Sequence, residues 1–378
     1  MVEYANINWT NILFTLFYHL VALVGMPLYI IFIDESWLLI LVSMVMVFLS
    51  GVSITAGYHR LYSHRAYNAN KVVEAALLFF GTMAFQGSVF QWAHKHRLHH
   101  QHTDKEEDPH SIAVGFWHAH IGWLFKKQYP VDMKLLPDLS QNPLLRFQNK
   151  HYILLATLLN VFVFLVMGYA FNDYVGAFVA GFGLRMVFLN NCTFFINSLA
   201  HTWGSKSYAR ELSAVDNFIM AFLTFGEGYH NYHHAFPSDY RNGIRWYHFD
   251  PTKWLISILN KLGMAYELRK MDQSAIHRKI IMEDKKMFLE TLRERMVEKR
   301  EELEQKIHVL SDQLCAKFNE LKQKRDALRQ AKFNAAKQQI KPLKQEIKHL
   351  KKRIRDDWNS WLELSNQVMA GLGKGHPH

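Results

Sequence analysis

The chain has only two cysteines in 378 residues. Cys192 and Cys315 lie in different regions and form no Cys-x-x-Cys motif, which excludes a disulfide framework and a cysteine-ligated zinc or redox site. The sequence also lacks a Cys-His catalytic pair and a serine-based nucleophile elbow. Any enzymatic chemistry must therefore come from other side chains.

Basic residues are absent from the first ten positions. A cleaved signal peptide needs a basic start and an apolar run of about 7–15 residues. The first apolar run here is longer, so we expect a permanent membrane anchor. The net charge of +11 is also uneven, because residues 317–355 hold 14 basic and 3 acidic side chains. The rest of the chain is close to neutral, which argues against a nucleic-acid partner.

Four apolar segments are long enough to cross a bilayer, which takes about 20 residues. They run over residues 12–33, 37–57, 152–171 and 174–198. The links Asp34-Glu35-Ser36 and Asn172-Asp173 are acidic and join the segments into two hairpins. The long stretches after the second and fourth segments contain Lys and Arg residues, which stay in the cytosol. They include Arg60, Arg65, Lys95, Arg97, Lys126, Lys127, Arg241 and Arg245. We predict that both termini and the active site are cytosolic, in a bacterial inner membrane or the endoplasmic reticulum.

Two shorter apolar stretches, residues 72–90 and 215–225, are predicted to form buried or interfacial helices. A six-span alternative would place the second and third histidine motifs on opposite sides of the bilayer.

Histidines are concentrated in three motifs, with one more histidine standing alone. The set consists of His59, His64, His96, His99, His100, His201, His230, His233 and His234. Side chains at i, i+3 and i+4 share one face of an α-helix, so each His-x-x-His-His motif is expected to converge on one point. The i, i+5 pair cannot share such a face, which predicts a bend between His59 and His64.

This set is typical of a metal site. Imidazole suits iron, zinc, copper and nickel, and one ion takes about four to six ligands, so nine histidines predict two ions. Asn197 lies one turn before His201 and could hold a metal-bound water. Glu107 and Glu227 each precede a histidine by three residues, but Pro109 and the neighbouring glycines disfavour helices there. We interpret those two matches as coincidental.

Polar residues inside the fourth apolar segment are expected to line a pocket or brace the metal site, since such groups face a bundle interior. They are Arg185, Asn190 and Asn191. The histidines just outside the motifs are expected to be structural or to orient ligands.

The C-terminal region changes character near residue 283. Apolar residues there follow heptad-like spacing with charged residues between them. Pro342 is expected in the first turn of a new helix. We predict a membrane domain over 1–282, an amphipathic or coiled-coil helix over 283–341, and a second basic helix with a flexible end over 342–378. An intramolecular hairpin and self-association between chains both remain open.

Longer stretches around the histidines resemble the membrane-bound fatty acyl desaturases, in particular the stearoyl-CoA-desaturase-like Δ9 branch. The similarity covers about residues 10–270. It is carried by the segments at 55–65, 82–86, 92–100, 108–110, 197–201 and 226–234. Two departures from the animal enzymes are His94-Lys95 and Gly87-Ser88.

The resemblance implies an all-α membrane protein with four transmembrane helices under a cytosolic helical cap, followed by a coiled-coil-like tail. It implies a di-iron centre held by the nine histidines, with Asn197 contacting one metal through water; zinc could replace iron after overproduction. The implied reaction uses O2 and two electrons to place a cis double bond, at Δ9, in a fatty acyl-CoA. An acyl-lipid or acyl-carrier-protein desaturase and a lipid hydroxylase or monooxygenase are the alternatives.

The same resemblance suggests substrate-binding residues. Lys126, Lys127, His94 and Lys95 are expected near the headgroup, because basic groups suit phosphates. Ser43, Met46 and Val47 are expected to close the far end of an apolar tunnel.

Residues 280–378 lack the haem-binding His-Pro-Gly-Gly motif of fused cytochrome b5 domains. The electron donor is therefore expected to be a separate cytochrome b5-like or ferredoxin-type protein with its reductase. The basic tail could recruit an acidic donor, contact membrane lipid or drive oligomerisation.

Overall fold

The computed structural model describes residues 7–33, 36–127, 130–293 and 299–370. It is almost entirely helical. Asp34 and Glu35 of the first predicted link, Met296 of the heptad pattern and the predicted flexible end lie outside the described residues. The chain divides into two compact units, one formed by residues 1–204 and 211–270, the other by residues 205–210 and 271–378.

Four helices of the first unit are long and apolar enough to cross a membrane, which confirms the four predicted spans. They are α1 (Trp9–Phe32), α2 (Trp37–Ser63), α7 (Tyr152–Ala170) and α8 (Tyr174–His201). Side chains cap the starts of α2 and α8, the second helix of each hairpin: the Ser36 hydroxyl accepts from the amide of Leu39 at 3.3 Å, and the Asp173 carboxylate accepts from the amide of Gly176 at 2.7 Å. The outward faces of these helices are apolar and exposed, as expected for contact with lipid.

Shorter helices fill the rest of the first unit. They are α3 (Lys71–Thr82), α4 (Val89–His102), α5 (Phe116–His120), α6 (Pro143–Lys150), α9 (Phe218–Leu223), α10 (His230–Ala235) and α11 (Pro251–Lys261). Two short strands, β1 (Asn68–Ala69) and β2 (Ala265–Tyr266), pair antiparallel. The stretch 72–90, predicted as one buried or interfacial helix, is divided between α3 and α4.

The division between α3 and α4 explains one departure from the animal desaturases. Gly87 has a φ of +95°, a conformation that favours glycine. Ser88 then caps α4 through a capping box: its hydroxyl accepts from the amide of Gln91 at 3.3 Å, and the Gln91 side chain accepts from the amide of Ser88 at 3.0 Å. Gly87-Ser88 thus sets the start of the helix that carries the second histidine motif.

The polar residues of α8 connect neighbouring elements. Arg185 is fully buried and donates to Asn160 on α7 and to the carbonyl of Gly181 at 2.8 Å. It therefore ties two spans together, and none of its hydrogen bonds in the described part of the chain goes to a histidine. Asn190 accepts from Gln86 at 3.3 Å, and Asn191 lies 3.2 Å from His120 Nε2.

The second unit contains three long helices, α12 (Gln273–Arg293), α13 (Arg300–Phe333) and α14 (Lys337–Ala370). Apolar side chains of all three form one core, which includes Phe288, Leu314, Leu350 and Trp361. The predicted heptad positions therefore pack within the chain. Helix α14 begins at Lys337, so Pro342 lies inside it and not in its first turn as predicted.

Candidate metal centre

The nine histidines come together in the first unit as two sets of converging nitrogen atoms. The first set is His59, His64, His96, His100 and His233, and the second is His99, His201, His230 and His234. Within each set the candidate ligand atoms all lie within 4.8 Å of one another. The sets are adjacent, since the rings of His100 and His234 stack at 4.3 Å.

Each His-x-x-His-His motif is divided between the two sets, so the prediction that each motif converges on one point is wrong. On α4, His96 and His100 belong to the first set and His99 to the second. On α10, His230 and His234 belong to the second set and His233 to the first. The i, i+4 pair shares a face, while the i+3 residue projects to the side and reaches the other set.

His59 and His64 reach the same set across a π-helical turn, and the chain bends at His64 where that turn ends. Residues Ile54–Ser63 form the last part of α2 as a π-helix, and the amide of His64 donates to the carbonyl of His59 at 3.1 Å. A π-helical turn joins residues i and i+5, so this pair lies side by side there. Their ring centroids are 4.8 Å apart.

The distances between nitrogen atoms fit metal binding. Nε2 of His59 lies 3.0 Å from Nε2 of His233, and Nε2 of His64 lies 2.7 Å from Nε2 of His96. In the second set, Nε2 of His230 lies 3.1 Å from Nε2 of both His201 and His234. Two ligands about 2.1 Å from one ion at right angles are separated by about 3 Å. A neutral imidazole has only one N–H, so hydrogen bonds alone cannot satisfy so many facing nitrogens.

The protonation of these histidines also suits metal binding. Burial lowers the pKa of six of them well below the usual value of 6.5, and nearby positive charge lowers it further. These six are His64, His96, His100, His230, His233 and His234. They are neutral near pH 7, which is the state that binds metal.

Three further groups orient individual ligands through Nδ1. Oε2 of Glu227 lies 2.9 Å from Nδ1 of His59, and Oδ2 of Asp108 lies 2.9 Å from Nδ1 of His99. The Ser213 hydroxyl lies 2.6 Å from Nδ1 of His201 and bonds in turn to Asp104. An acceptor at Nδ1 leaves Nε2 free for a metal and fixes the ring orientation.

Both carboxylates are ionised at neutral pH. Burial raises the pKa of Glu227, but the charges of His59 and Arg60 outweigh this effect and lower it to about 2. Burial likewise raises the pKa of Asp108, whereas its hydrogen bond with His99 lowers it to about 2. These negative charges would offset part of the charge of bound metal ions.

The structure bears out the interpretation of the Glu227 and His230 match as coincidental. The two do not form a helical Glu-x-x-His motif, since α10 begins only at His230. Glu227 nevertheless belongs to the centre through His59. The histidines just outside the motifs were expected to be structural or to orient ligands, and for them this stays a prediction. Of these, His110 has its ring centroid 4.4 Å from that of His99.

A cavity opens beside both sets, and its lining is mostly apolar. Its lining includes His59, His96, His99, His230, Glu227, Asn197, Trp92, Thr55, Thr193, Thr224, Cys192, Gly51, Ile54, Ile196 and Phe225. Trp92 and Thr193 are joined through Gln86, which accepts from the indole at 3.4 Å and donates to the hydroxyl at 2.9 Å. Asn197 therefore lies in the same cavity as histidines of both sets.

The predicted substrate residues lie away from this lining. Ser43, Met46 and Val47 precede Gly51 on α2, and the Ser43 hydroxyl donates to the carbonyl of Leu39 at 2.9 Å. Lys126 and Lys127 are exposed, and His94 is buried. Lys95 Nζ lies 4.9 Å from the centre of the Trp123 ring, and burial lowers its pKa to about 8.

Comparison with known proteins gives a family match over the same region. The fatty acid desaturase family model matches residues 35–268. The chain is 45% identical over 241 residues to acyl-CoA desaturase 1 of Saccharomyces cerevisiae, covering 62% of this chain and 47% of that protein. It is 35% identical over 285 residues to stearoyl-CoA desaturase of Homo sapiens, covering 73% and 77%.

A third relative is the acyl-CoA Delta-9 desaturase of Acheta domesticus, 32% identical over 286 residues, with 73% of this chain and 78% of that protein covered. The chain spans about half the length of two yeast relatives, 47% in Saccharomyces cerevisiae and 50% in Schizosaccharomyces pombe. Because the matched region contains both histidine sets and three of the four apolar helices, the chain is a membrane protein with a metal-binding centre that belongs to the fatty acid desaturase family.

Proposed function

We propose that this protein is an O2-dependent acyl-CoA desaturase that places a cis double bond, at Δ9, in a saturated acyl chain. The observation that carries the proposal is that histidines of both sets line one cavity whose lining is mostly apolar. The names of the relatives, which are acyl-CoA and Delta-9 desaturases, support the substrate class and the bond position.

The nine histidines would hold two iron ions, with Asn197 contacting one of them through water; zinc could occupy the same nitrogens in overproduced protein. When bound, iron would supply the O2-derived oxidising power that an unactivated C–H bond requires. The protein's own contribution is to fix the imidazoles through Glu227, Asp108 and Ser213. Trp92, Gln86 and Thr193 would hold the cavity wall in place and keep the acyl chain in one path.

The two ends of the substrate would be recognised differently. Lys126, Lys127, His94 and Lys95 would serve the phosphate-rich headgroup of the acyl-CoA. Gly51 and Phe225 would limit the apolar end, with Ser43, Met46 and Val47 beyond them for longer chains. The required electrons would come from a separate cytochrome b5-like or ferredoxin-type protein with its reductase.

The distribution of Lys and Arg residues supports the proposed sidedness of the membrane domain. The helices outside the four spans would form a cytosolic cap, with both termini and the histidine sets on that side. We retain the division into a desaturase domain over 1–282 and tail segments over 283–341 and 342–378, with the tail as a coiled-coil-like element able to self-associate.

Sidedness can be tested in a variant lacking Cys192 and Cys315. A cysteine introduced at Trp246, which is 88% exposed, should react with a membrane-impermeant thiol reagent only from the cytosolic side. A cysteine at Asn172, in the second short link, should react only from the opposite side. The reverse pattern would overturn the proposed orientation.

The activity itself is tested in a host that lacks its own fatty acid desaturase. The chain would be expressed with iron and a donor system, the cells fed a saturated fatty acid, and the products analysed by mass spectrometry that locates double bonds. We expect a loss of two hydrogens at one position in the wild type and none in His233→Ala at equal membrane abundance. A gain of one oxygen would identify a hydroxylase. A new double bond found only in intact lipids, or only on carrier protein, would identify those molecules as the substrates instead.

A further inference from the structure

The second unit contains a groove unrelated to the histidine centre. Phe318, Leu321, Ile354 and Trp358 supply apolar walls, and the His277 ring stacks on Phe318 with centroids 5.0 Å apart. The same His277 ring meets Trp358 edge-on at 5.6 Å. These contacts hold the walls in a fixed arrangement between α12, α13 and α14.

Two cations border the groove. Lys351 and Arg355 are exposed residues at i and i+4 of α14, so they project from the same face. Within the residues that the structure describes, neither forms an ion pair or a hydrogen bond. An apolar surface beside two uncompensated cations matches a ligand that is both apolar and anionic.

The surface around the groove carries the same charge. Residues 337–355 hold eight Lys and Arg residues and one acidic residue, Glu346, whose carboxylate is engaged by Lys324 at 2.7 Å. Lys341, Lys344, Lys348 and Lys352 are exposed. Such a face attracts an anionic surface, and the attraction is strongest where several basic residues act together.

We propose that this groove binds one anionic phospholipid from the bilayer that the chain spans, and that it docks the basic face of α14 on an anionic leaflet. The phosphate would meet Lys351 and Arg355, and the start of the acyl chains would contact Phe318, Ile354 and Trp358. A free phosphate would leave the apolar walls unused, and a neutral lipid would leave the cations without a partner. The docking is independent of desaturation.

The test uses the full chain in a neutral detergent and dioctanoyl phosphatidate, a soluble short-chain anionic lipid, with binding followed by titration calorimetry. We expect one saturable site. The variant Lys351→Gln/Arg355→Gln should bind about tenfold more weakly, because two charge-assisted contacts are lost. The matched control Lys341→Gln/Lys344→Gln removes the same charge from the same helix outside the groove and should bind like the wild type.

Two more probes separate the possible ligands. Dioctanoyl phosphatidylcholine has the same tails, and inorganic phosphate has the same anionic group; both should compete poorly. Absence of saturable lipid binding, equal weakening in both variants, or full competition by inorganic phosphate would each overturn the proposal. Tight binding of an acidic cytochrome b5 in place of the lipid would assign the face to a protein and would also overturn it. Unchanged melting temperatures in the variants would exclude unfolding as the cause of any loss.

Discussion

At the residue scale, the centre depends on a buried network of opposite charges. Arg60 is 1% exposed, and its Nη2 lies 2.9 Å from Glu227 and 3.0 Å from Asp250. Buried charges are tolerated only when they are paired and hydrogen-bonded. The Asn242 amide also donates to Glu227 at 2.6 Å. Glu227 thus connects the His59 imidazole of the first set to the rigid interior of the first unit.

Replacing Glu227 with Gln should therefore weaken the centre without destroying the fold. The amide keeps the shape but loses the charge that orients His59, and such changes cost about 10–100-fold in metal affinity or activity. Arg60 retains Asp250 as its counter-charge. Iron content by elemental analysis and desaturation in cells should both fall, while Glu106→Gln, an exposed change of the same type, should leave them unaltered. Wild-type iron content in Glu227→Gln would contradict this role.

A second residue-scale prediction concerns acid sensitivity. Burial lowers the pKa of His248 to about 4, as do the charges of Lys253 and Arg245, whereas Asp250 raises it. Imidazole in an unfolded chain has a pKa of about 6.5. Between these values the unfolded chain binds a proton that the folded chain excludes, so stability is lost as the pH falls from 6.5 to 4.

The stability of His248→Phe should depend less on pH than that of the wild type. Phenylalanine keeps a ring to stack on Tyr229, which lies 4.4 Å from His248, but it cannot bind a proton. The loss of unfolding free energy between pH 7 and pH 5 should shrink by on the order of 1 kcal/mol, allowing for solvent screening. Thermal melts at the two pH values measure this, with the exposed His308→Phe as control. Equal acid sensitivity in the wild type and His248→Phe would remove His248 as a cause.

The sequence predicted the histidines but not their partners. Repeated spacing marks His96, His99 and His100, because three such residues within five positions rarely occur by chance. Asp108, Glu227 and Ser213 have no such spacing, since loops and turns bring each to its histidine. The Glu-x-x-His match does not predict the role of Glu227, because the carboxylate contacts His59 and not His230.

At the scale of elements, the spans were predictable and their internal geometry was not. A membrane span is recognised by the length and hydropathy of a segment, which can be read directly from the sequence, so all four spans could be predicted. The π-helical end of α2 has no compositional mark, and it packs against α3, α4 and α11, the last of which is distant in sequence. The capped start of α4 at Ser88 follows a known pattern, yet it appeared in the sequence only as a departure from the animal enzymes.

Gly51 on α2 provides a test at this scale. A Cβ placed there would lie 2.1 Å from the ring of Phe225, so that ring must move. Gly51→Ala should shorten the apolar end of the cavity and shift the products toward shorter acyl chains. Product chain lengths in cells fed mixed saturated acids measure the shift. Gly181→Ala, where the nearest atoms are 3.3 Å away in Met167, is the matched control, and an unchanged product profile in Gly51→Ala would contradict this role.

At the scale of the molecule, all nine histidines and the groups that orient them belong to the first unit, while the basic helices belong to the second. Ending the chain after Lys270 should therefore preserve membrane insertion, iron content and desaturation at levels close to those of the full chain. It should abolish binding of dioctanoyl phosphatidate. A cut near residue 282 would divide α12 and is a poorer test. Loss of iron from the shortened chain would show that the second unit supports the centre.

The division of each His-x-x-His-His motif between the two sets links the filling of one site to the other. Helices α4 and α10 each contribute histidines to both sets, so if each set holds an ion, an ion leaving one set would loosen the same two helices that hold the other. Half-loaded protein should therefore be scarce, and a metal titration should be cooperative. Chelation would then remove the two ions together, and the melting curve of partly loaded protein would separate into fully loaded and empty populations.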